Sequence, residues 1–275
     1  CVCTGPGSAN VIGGRFCALK TFGNTIEEML IKEPAALKAA LGENPKRCYN
    51  QKKASPMTRM ATAALLREAF YKARAYGEKK NAAGAGGEAP ELDMGMECLL
   101  EVLRGELPLK IHCHRADDIQ TAIRIAEEFG ISYTLDHCTE GYMMTDVLKA
   151  HNARCILGPI LIGRPKIEMK NLSYSGAAVL ERAGIEFALS TDHPETPVQL
   201  LNVSAAYLVR NGLSEEAALR AMTVNAARIT GLDGRIGAVK EGLDADIVVF
   251  DGHPLDVRAK VLMTVINGRV VYGGL

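Results

Sequence analysis

The chain has 275 residues, of which 48% are hydrophobic and 23% charged, and its formal net charge is zero. These proportions are typical of a folded protein with a sizeable core, arranged as one large α/β domain or two smaller ones. The 32 basic residues are balanced by 32 acidic residues. The composition therefore gives no indication of a nucleic-acid or membrane partner.

Eight cysteines are spread along the chain without a CxxC pair or a compact framework. This spacing predicts reduced, mostly buried thiols in a cytoplasmic protein. No apolar run approaches the about 18 residues that would indicate a membrane span. The first twenty residues lack the features of a signal peptide, and the chain does not begin with Met. We therefore expect a fragment or a processed product.

The first hundred residues have a less regular pattern than the rest. The segment Gly5–Gly14 (GPGSANVIGG) predicts a tight loop, since it lacks the strand-to-helix context of a dinucleotide site. Pro56–Tyr76 is a predicted helix with Ser55 as its N-cap and Pro56 in the first position. The segment Lys79–Glu91 predicts a surface loop. Arginines on the predicted helix, namely Arg59 and Arg67, are expected on its solvated face.

Short apolar runs alternate with amphipathic stretches after Leu107. The predicted strands are Leu107–Cys113, Ile131–His137, Ala153–Leu157 and Ile185–Asp192. The predicted helices are Asp117–Phe129, Tyr142–His151, Ser175–Ala183, Pro197–Asn211, Ser214–Met222 and Val224–Thr230. Gly130 and Gly184 are helix-ending signals. Repeated βα units at this spacing predict a parallel sheet or barrel.

The tail changes character after Asp233. Its predicted strands are Ile236–Val239, Asp246–Phe250, Leu262–Ile266 and Arg269–Tyr272. The pair Asn267-Gly268 between the last two is a strong hairpin signal. We therefore expect a barrel over residues 1–232 and a small β-module over residues 233–275.

Polar residues with catalytic potential follow three of the predicted strands. His112 and His114 lie at the end of one strand, His137 ends the next, and Asp192 ends a later one. In a (β/α)8 barrel, the carboxyl ends of the strands form the active-site face. A single histidine at a strand end is more often a hydrogen-bonded polar residue than a ligand. The shared position of all these residues favours a common site.

Strand alternation indicates which of these side chains point into a barrel. His112 and His114 are two residues apart and therefore share a face. Along Ile185–Asp192, Ala188 and Asp192 share the face towards the interior. Neutral imidazoles and a carboxylate are suitable ligands for zinc or a similar divalent ion. Such an ion lowers the pKa of a bound water, and a nearby carboxylate can carry its proton to a leaving nitrogen.

The remaining histidines and two cysteines have simpler interpretations. His151 is expected to be a cation at a helix end, and His253 a structural residue in a turn. His193 follows Asp192 and is equally compatible with support of the site and with packing. Cys113 and Cys138 adjoin candidate ligands but are expected to face the helix layer as core thiols.

Three motifs together with the tail resemble the amidohydrolase superfamily, and most closely its imidazolonepropionase-like branch. The motifs are KIHCHRADDI (Lys110–Ile119), DHCTEGY (Asp136–Tyr142) and STDHP (Ser190–Pro194). The tail segment Gly234–Asp256 is similar to the part that completes a β-sandwich beside the barrel in that family. The resemblance implies an α/β fold: a (β/α)8 TIM-type barrel, incomplete at its N-terminus, with part of a small β-sandwich at the C-terminus.

The resemblance also implies roles for individual residues. His112 and His137 would be metal ligands of the fifth and sixth strands. Asp192 would be the eighth-strand ligand and the proton shuttle, so that Asp192 and His137 are the expected catalytic residues. Glu43 or Lys46, in GENPKR, would match the bridging ligand of the family. The implied cofactor is a divalent metal, with zinc expected, as one or two ions.

Two further residues are weaker candidates near this set. His114 and His193 are expected to contact the substrate or to support the ligands. The substrate is expected to be a small molecule, and a homo-oligomer is the expected state.

One departure from the family pattern concerns the first barrel strand. That strand carries a His-x-His pair in the family, whereas this sequence has no histidine before His112. We therefore expect at least one barrel strand and two ligands to be missing, with poor metal binding and an inactive chain as the consequence. Exposed strand edges would also favour pairing with another chain.

Three functions are compatible with these features. The leading hypothesis is a metal-dependent amidohydrolase that cleaves a C–N bond of a linear or cyclic amide with metal-activated water. The first alternative is a heterocycle deaminase of the same superfamily. The second alternative is a catalytically incompetent fragment that only folds or associates.

Overall fold

The computed structural model describes residues 1–84 and 88–273. Within these ranges the strands are β1 (Val2–Thr4), β2 (Ile12–Leu19), β3 (Leu30–Ala40), β4 (Leu109–Cys113), β5 (Tyr133–His137), β6 (Cys155–Leu157), β7 (Phe187–Leu189), β8 (Ile247–Phe250), β9 (Val261–Ile266) and β10 (Arg269–Gly273). The helices are α1 (Ile26–Met29), α2 (Glu43–Gln51), α3 (Arg59–Gly84), α4 (Met94–Leu103), α5 (Ala116–Phe129), α6 (Thr145–Ala150), α7 (Gly176–Arg182), α8 (Leu201–Arg210), α9 (Glu215–Met222) and α10 (Val224–Ile229). Short 3-10 helices cover Gly141–Met143, Ile167–Met169 and Val198–Leu200.

Strands β1 to β7 form one sheet in chain order. The pairs β1–β2 and β2–β3 are antiparallel. The strands from β3 to β7 are parallel and are joined by crossovers that contain helices. Within the described ranges β1 and β7 are the two edges of this sheet, so the barrel is open. The predicted incomplete (β/α)8 barrel is confirmed.

A second sheet of three strands lies in the tail. It has the order β10-β9-β8, and both of its pairs are antiparallel. The turn between β9 and β10 uses Asn267 at φ 50° and Gly268 at φ 75°, the positive angles that a tight hairpin requires. The predicted C-terminal β-sandwich segment is confirmed in this form. The boundary between residues 232 and 233 stays a prediction.

The strands bury two different faces. Ile111, Cys113 and Leu135 belong to a large apolar cluster that includes the inner side of α5. On the other face, Ala188 packs in a small cluster with Ile156 and Ile229. This separation follows from the two-residue period of a strand. The predicted orientation of the strands is thus confirmed, with Cys113 and Cys138 in the helix-side core.

Helix α5 shows clear sequence signals at both ends. Asp117 and Asp118 occupy its first turn, where carboxylates interact favourably with the helix dipole. Gly130 ends the helix at φ 66°, a left-handed conformation that costs glycine little. The helix that follows β4 begins at Ala116, two residues after His114.

The long helix α3 differs from its prediction at both ends. It begins at Arg59, and the Thr58 side chain accepts a hydrogen bond from the Ala61 N–H at 3.1 Å. Thr58 therefore caps the helix, and the predicted cap Ser55 is wrong. Residues 79–84 of the predicted loop are helical, in agreement with the alanine content of this stretch. Residues 85–87 of that loop lie outside the described residues.

Three other predicted elements are shorter or absent. The predicted strand Ile185–Asp192 is reduced to β7 because the chain turns before Asp192, which has φ 50°. The predicted helix Tyr142–His151 is divided into a 3-10 turn and α6. Residues 236–239 form bends in place of the predicted strand, and the Ile236 N–H donates back to the Leu232 carbonyl at 3.0 Å. Among the helices of the described ranges, none is both long and apolar enough to cross a membrane.

A buried lysine connects the barrel to the tail. Lys20 follows β2 and is 2% exposed. Its Nζ atom lies 2.9 Å from Asp244 Oδ2 and also contacts Asp246, both of which precede β8. A buried ammonium group is tolerated only when it is paired, so these contacts hold the tail against the sheet.

We expect Lys20→Met to loosen the tail, because Asp246 would lose its ammonium partner and Asp244 would keep only its contact with Arg235 at 2.8 Å. Limited proteolysis followed by mass spectrometry should detect faster cleavage near residues 233–246. The matched control is Lys79→Met, which removes an exposed lysine from α3. Identical digestion of both variants and the unmodified chain would contradict this account of the tail.

Candidate metal centre

Three histidines meet at the carboxyl ends of β4 and β5. His112 lies within β4, His114 directly follows that strand, and His137 is the last residue of β5. Their exposures are 2%, 2% and 8%. One ligand atom from each ring lies within 4.8 Å of the others. The structure therefore brings together two predicted ligands and one residue that was predicted to play a supporting part.

The backbone turns at His137 in a way that strand alternation does not predict. Leu135 faces the helix layer, so regular alternation would send His137 to the same side. His137 and Cys138 instead have φ of 74° and 44°. This left-handed pair directs Cys138 into the helix-side core, while His137 joins His112 and His114. Non-glycine residues in this conformation are strained, and such strain is concentrated at functional sites.

Hydrogen bonds determine which histidine nitrogen is available. His137 Nδ1 lies 2.6 Å from the Gly158 carbonyl oxygen, which can only accept, so Nδ1 carries the hydrogen. The lone pair of Nε2 is then free to bind an ion. His114 Nδ1 lies 2.7 Å from Thr139 Oγ1. His112 Nδ1 is buried and has no hydrogen-bond partner within residues 1–84 and 88–273.

Burial keeps the three rings in the form that binds metals. Desolvation lowers the pKa of His112 and His137 well below the ordinary histidine value. Desolvation likewise lowers the pKa of His114, and the neighbouring His137 adds to the effect. All three imidazoles are therefore neutral near pH 7. Three neutral imidazoles around one point fit a divalent transition metal.

Asp192 lies beyond β7, at the same edge of the sheet as the histidines. Its backbone N–H donates to Ser190 Oγ at 3.1 Å. Partial desolvation raises the pKa of its carboxyl group, against the opposing effect of Lys38, although the residue as a whole is exposed. Among the described residues, the cluster of close ligand atoms consists of the three histidines without Asp192. The role of Asp192 stays a prediction.

The other predicted site residues lie at different distances from the cluster. Glu43 is the first residue of α2, and its Oε1 accepts a hydrogen bond from the Glu168 N–H at 3.2 Å. Lys46 lies further along α2 and is half-buried. His193 is exposed beside Asp192. Glu43 thus adjoins the histidines through Glu168, and the roles predicted for Glu43, Lys46 and His193 stay predictions.

Two residues of the site were missed by the sequence analysis. Glu168 is fully buried, and its Oε1 lies 3.7 Å from His112 Nε2. Arg59 Nε donates to both Asp118 carboxylate oxygens, at 3.1 and 3.0 Å, so its predicted position on a solvated face is wrong. Glu168 follows β6 and lies in a loop on the active-site edge. That position is the one sequence signal that could have found it.

A buried charged layer lies directly below the histidines. Lys38 on β3 and Lys110 on β4 reach Asp136 on β5, with Nζ–Oδ distances of 3.0 and 2.8 Å. Burial alone would raise the pKa of Asp136, but the ammonium groups of Lys110 and Lys38 hold it well below its usual range. Lys110 shares its face of the strand with His112, two residues further on. These ion pairs therefore join β3, β4 and β5 directly below the histidines.

Comparison with known proteins assigns the class that this fold and site define. The sequence model of the amidohydrolase family matches residues 97–272. The chain therefore belongs to the amidohydrolase family, and the resemblance to its imidazolonepropionase-like branch is confirmed.

Particular relatives share different parts of the chain. The crystal structure of an amidohydrolase from Thermotoga maritima MSB8 is 44% identical with a TM-score of 0.97, covering 99% of this chain and 72% of that one. Amidohydrolase tasK of Hapsidospora irregularis is 28% identical over 97% of this chain and 30% of its own length. Imidazolonepropionase of Maricaulis maris is 29% identical over 61% of this chain and 41% of its own length. The chain thus spans less than half of these two curated relatives.

Proposed function

We propose that this chain carries the metal centre of a hydrolase that cleaves the C–N bond of a small linear or cyclic amide, with zinc as the ion. The observation that supports this most directly is the group of three buried, neutral histidines at the carboxyl ends of adjacent parallel strands. Membership of the amidohydrolase family supports the reaction class.

The role that we propose for each residue follows from its position in the site. His112, His114 and His137 hold the ion, and the Gly158 carbonyl fixes the orientation of the His137 ring. When bound, the ion polarises a carbonyl group and makes water more acidic. Asp192 takes up a proton at its carboxylate and delivers it to the leaving nitrogen. Its raised pKa suits a group that must hold that proton for part of the cycle.

Metal content of the purified chain tests this proposal. After removal of loosely bound ions, elemental mass spectrometry should find about one divalent ion per chain. His112→Ala and His137→Ala should each abolish tight binding. His151→Ala is the matched control, because His151 lies at the end of α6 and contacts Glu127 away from the site.

Two results would contradict the proposal. One is an unmodified chain that retains no ion, and the other is full retention by both His112→Ala and His137→Ala. Release of ammonia from heterocyclic amines, without hydrolysis of amides, would instead indicate the deaminase alternative. The cytoplasmic location and the homo-oligomeric state stay predictions.

A further inference from the structure

Glu168 places a buried carboxylate against the histidine cluster. The residue lies in the 3-10 turn Ile167–Met169, which belongs to the segment between β6 and α7. Its side chain is fully buried. A carboxylate that is removed from water needs partners for its oxygens, since burial without them is costly. The two oxygens of Glu168 differ in this respect.

One oxygen of Glu168 is held in place by the protein. Oε2 accepts a hydrogen bond from the Glu43 N–H at 2.7 Å. Arg59 Nη2 lies 3.9 Å from the same oxygen, and Arg59 is itself fixed by its two hydrogen bonds to Asp118. These contacts determine the orientation of the carboxylate, and they involve only Oε2.

The other oxygen, Oε1, points at the histidines. Oε1 has no hydrogen-bond partner in the part of the chain that the structure describes. It lies 3.7 Å from His112 Nε2, 3.8 Å from His114 Nε2 and 3.8 Å from Lys166 Nζ. Each of these distances is longer than an ordinary N–H···O hydrogen bond, whose upper limit is about 3.2 Å.

The distances agree better with a shared ion than with direct contact. Donor atoms about 2.0–2.1 Å from a tetrahedral metal lie about 3.3–3.5 Å from one another. The separations of Oε1 from His112 Nε2 and His114 Nε2 are close to that spacing. An ion bound between these atoms would also give Oε1 a direct partner, which Lys166 Nζ at 3.8 Å does not supply.

We infer that Glu168 is a carboxylate ligand of a divalent ion at this site, alongside His112 and His114. This inference rests on the proposed function, because it concerns the same ion. Glu168 adds a negatively charged oxygen donor to the three neutral histidine ligands. Glu43 and Arg59 are then positioning residues, since they hold the oxygen that does not face the ion.

The test compares zinc affinities of the purified chain and its variants. Glu168→Gln keeps an oxygen that can accept from the Glu43 N–H but removes the charge. We expect its Zn²⁺ affinity to fall by about 10- to 100-fold in competition with a chromophoric chelator. Glu168→Asp keeps the charge on a shorter side chain and should lose less than Glu168→Gln does.

The matched control is Glu140→Gln. Glu140 is also buried near the site, but both of its oxygens are occupied, by the Ala116 N–H and by Asn171 Nδ2, each at 2.8 Å. Its replacement should leave Zn²⁺ affinity unchanged even if stability falls. Circular dichroism establishes that each variant is folded. If Glu168→Gln does not fold, the Zn²⁺ affinity and the Co²⁺ absorption spectrum of Glu168→Asp decide whether Glu168 is a ligand of the ion.

The outcomes separate this inference from the proposed function. Equal Zn²⁺ affinity in Glu168→Gln and the unmodified chain, with loss of binding in His112→Ala, overturns the role of Glu168 alone. If the unmodified chain binds no Zn²⁺, both are overturned. We expect a fall of about 10- to 100-fold in the Zn²⁺ affinity of Glu168→Gln, loss of binding in His112→Ala, and no change in Glu140→Gln.

Discussion

Replacing Asp136 with asparagine should lower the free energy of unfolding by about 3–5 kcal/mol, the usual cost of removing one partner from a buried ion pair. Asp136 is 7% exposed, and it neutralises part of the charge of Lys38 and Lys110, which are 5% and 8% exposed. An asparagine of similar volume would leave two buried ammonium groups without a counter-charge. The loss would therefore arise from charge and not from a cavity.

Urea denaturation followed by circular dichroism would measure the change. Glu106→Gln is the control for loss of a carboxylate at an exposed ion pair, since Glu106 pairs with Arg104 at the surface. The urea concentration at which half of Glu106→Gln is unfolded should equal that of the unmodified chain. A triple variant that makes Lys38, Lys110 and Asp136 apolar should recover much of the stability lost in Asp136→Asn. Unfolding of Asp136→Asn at the same urea concentration as the unmodified chain would contradict the assignment.

The buried ion pairs of Asp136 with Lys38 and Lys110 also predict how the stability of the chain depends on pH. In the folded chain the ammonium groups of Lys110 and Lys38 hold the pKa of Asp136 well below its usual range, whereas in the unfolded chain it returns to about 4. The stabilisation is therefore complete at neutral pH and is lost progressively as the pH falls below that unfolded value. Asp136→Asn should show a shallower loss of stability in acid than the unmodified chain does.

Local patterns were sufficient to predict the second half of the barrel. Strands β4 and β5 are short apolar runs that end in or next to histidine, and Gly130 marks the end of the helix between them. Because parallel strands place their carboxyl ends at one edge, the sequence alone predicts that His112 and His137 meet. Each of these signals lies within a few residues of the feature that it predicts.

The first forty residues could not be interpreted in this way. Strand β3 contains Lys32, Glu33, Pro34 and Lys38, which is not the continuous apolar run expected of a buried parallel strand. Lys38 is tolerated there because its counter-charge, Asp136, comes from β5. The partner lies far away in the sequence, so no local pattern could show that this lysine is buried.

The same limit applies to the candidate site. Glu168 reaches His112 and His114 only because the segment after β6 folds back over the carboxyl ends of β4 and β5. Arg59 is at the start of α3, where its spacing resembles that of an exposed helix residue. Its bond to Asp118 on α5 is a tertiary contact. Residues of this kind are recognised from burial and pairing, not from sequence spacing.

Asp192→Asn should reduce kcat/KM for amide hydrolysis by about 100- to 10,000-fold, the range in which a positioned proton-transferring group contributes. Among the described residues, the three histidines form a close group, and Glu168 Oε1 lies 3.7 Å from His112 Nε2, so these donors should retain the ion in the variant. Asparagine has nearly the same shape as aspartate but cannot take up a proton. The loss should therefore appear in turnover and not in metal content.

The measurement pairs a turnover assay on linear and cyclic amides with elemental analysis of the same samples. Glu195→Gln is the control, because it removes a carboxylate from the same exposed loop and changes the local charge equally. Unchanged turnover in Asp192→Asn would contradict the proton-carrying role. Parallel loss of metal and turnover would instead make Asp192 a ligand that the ion requires. Retained metal with lost turnover separates these two roles, because only a proton carrier is dispensable for binding and necessary for the reaction.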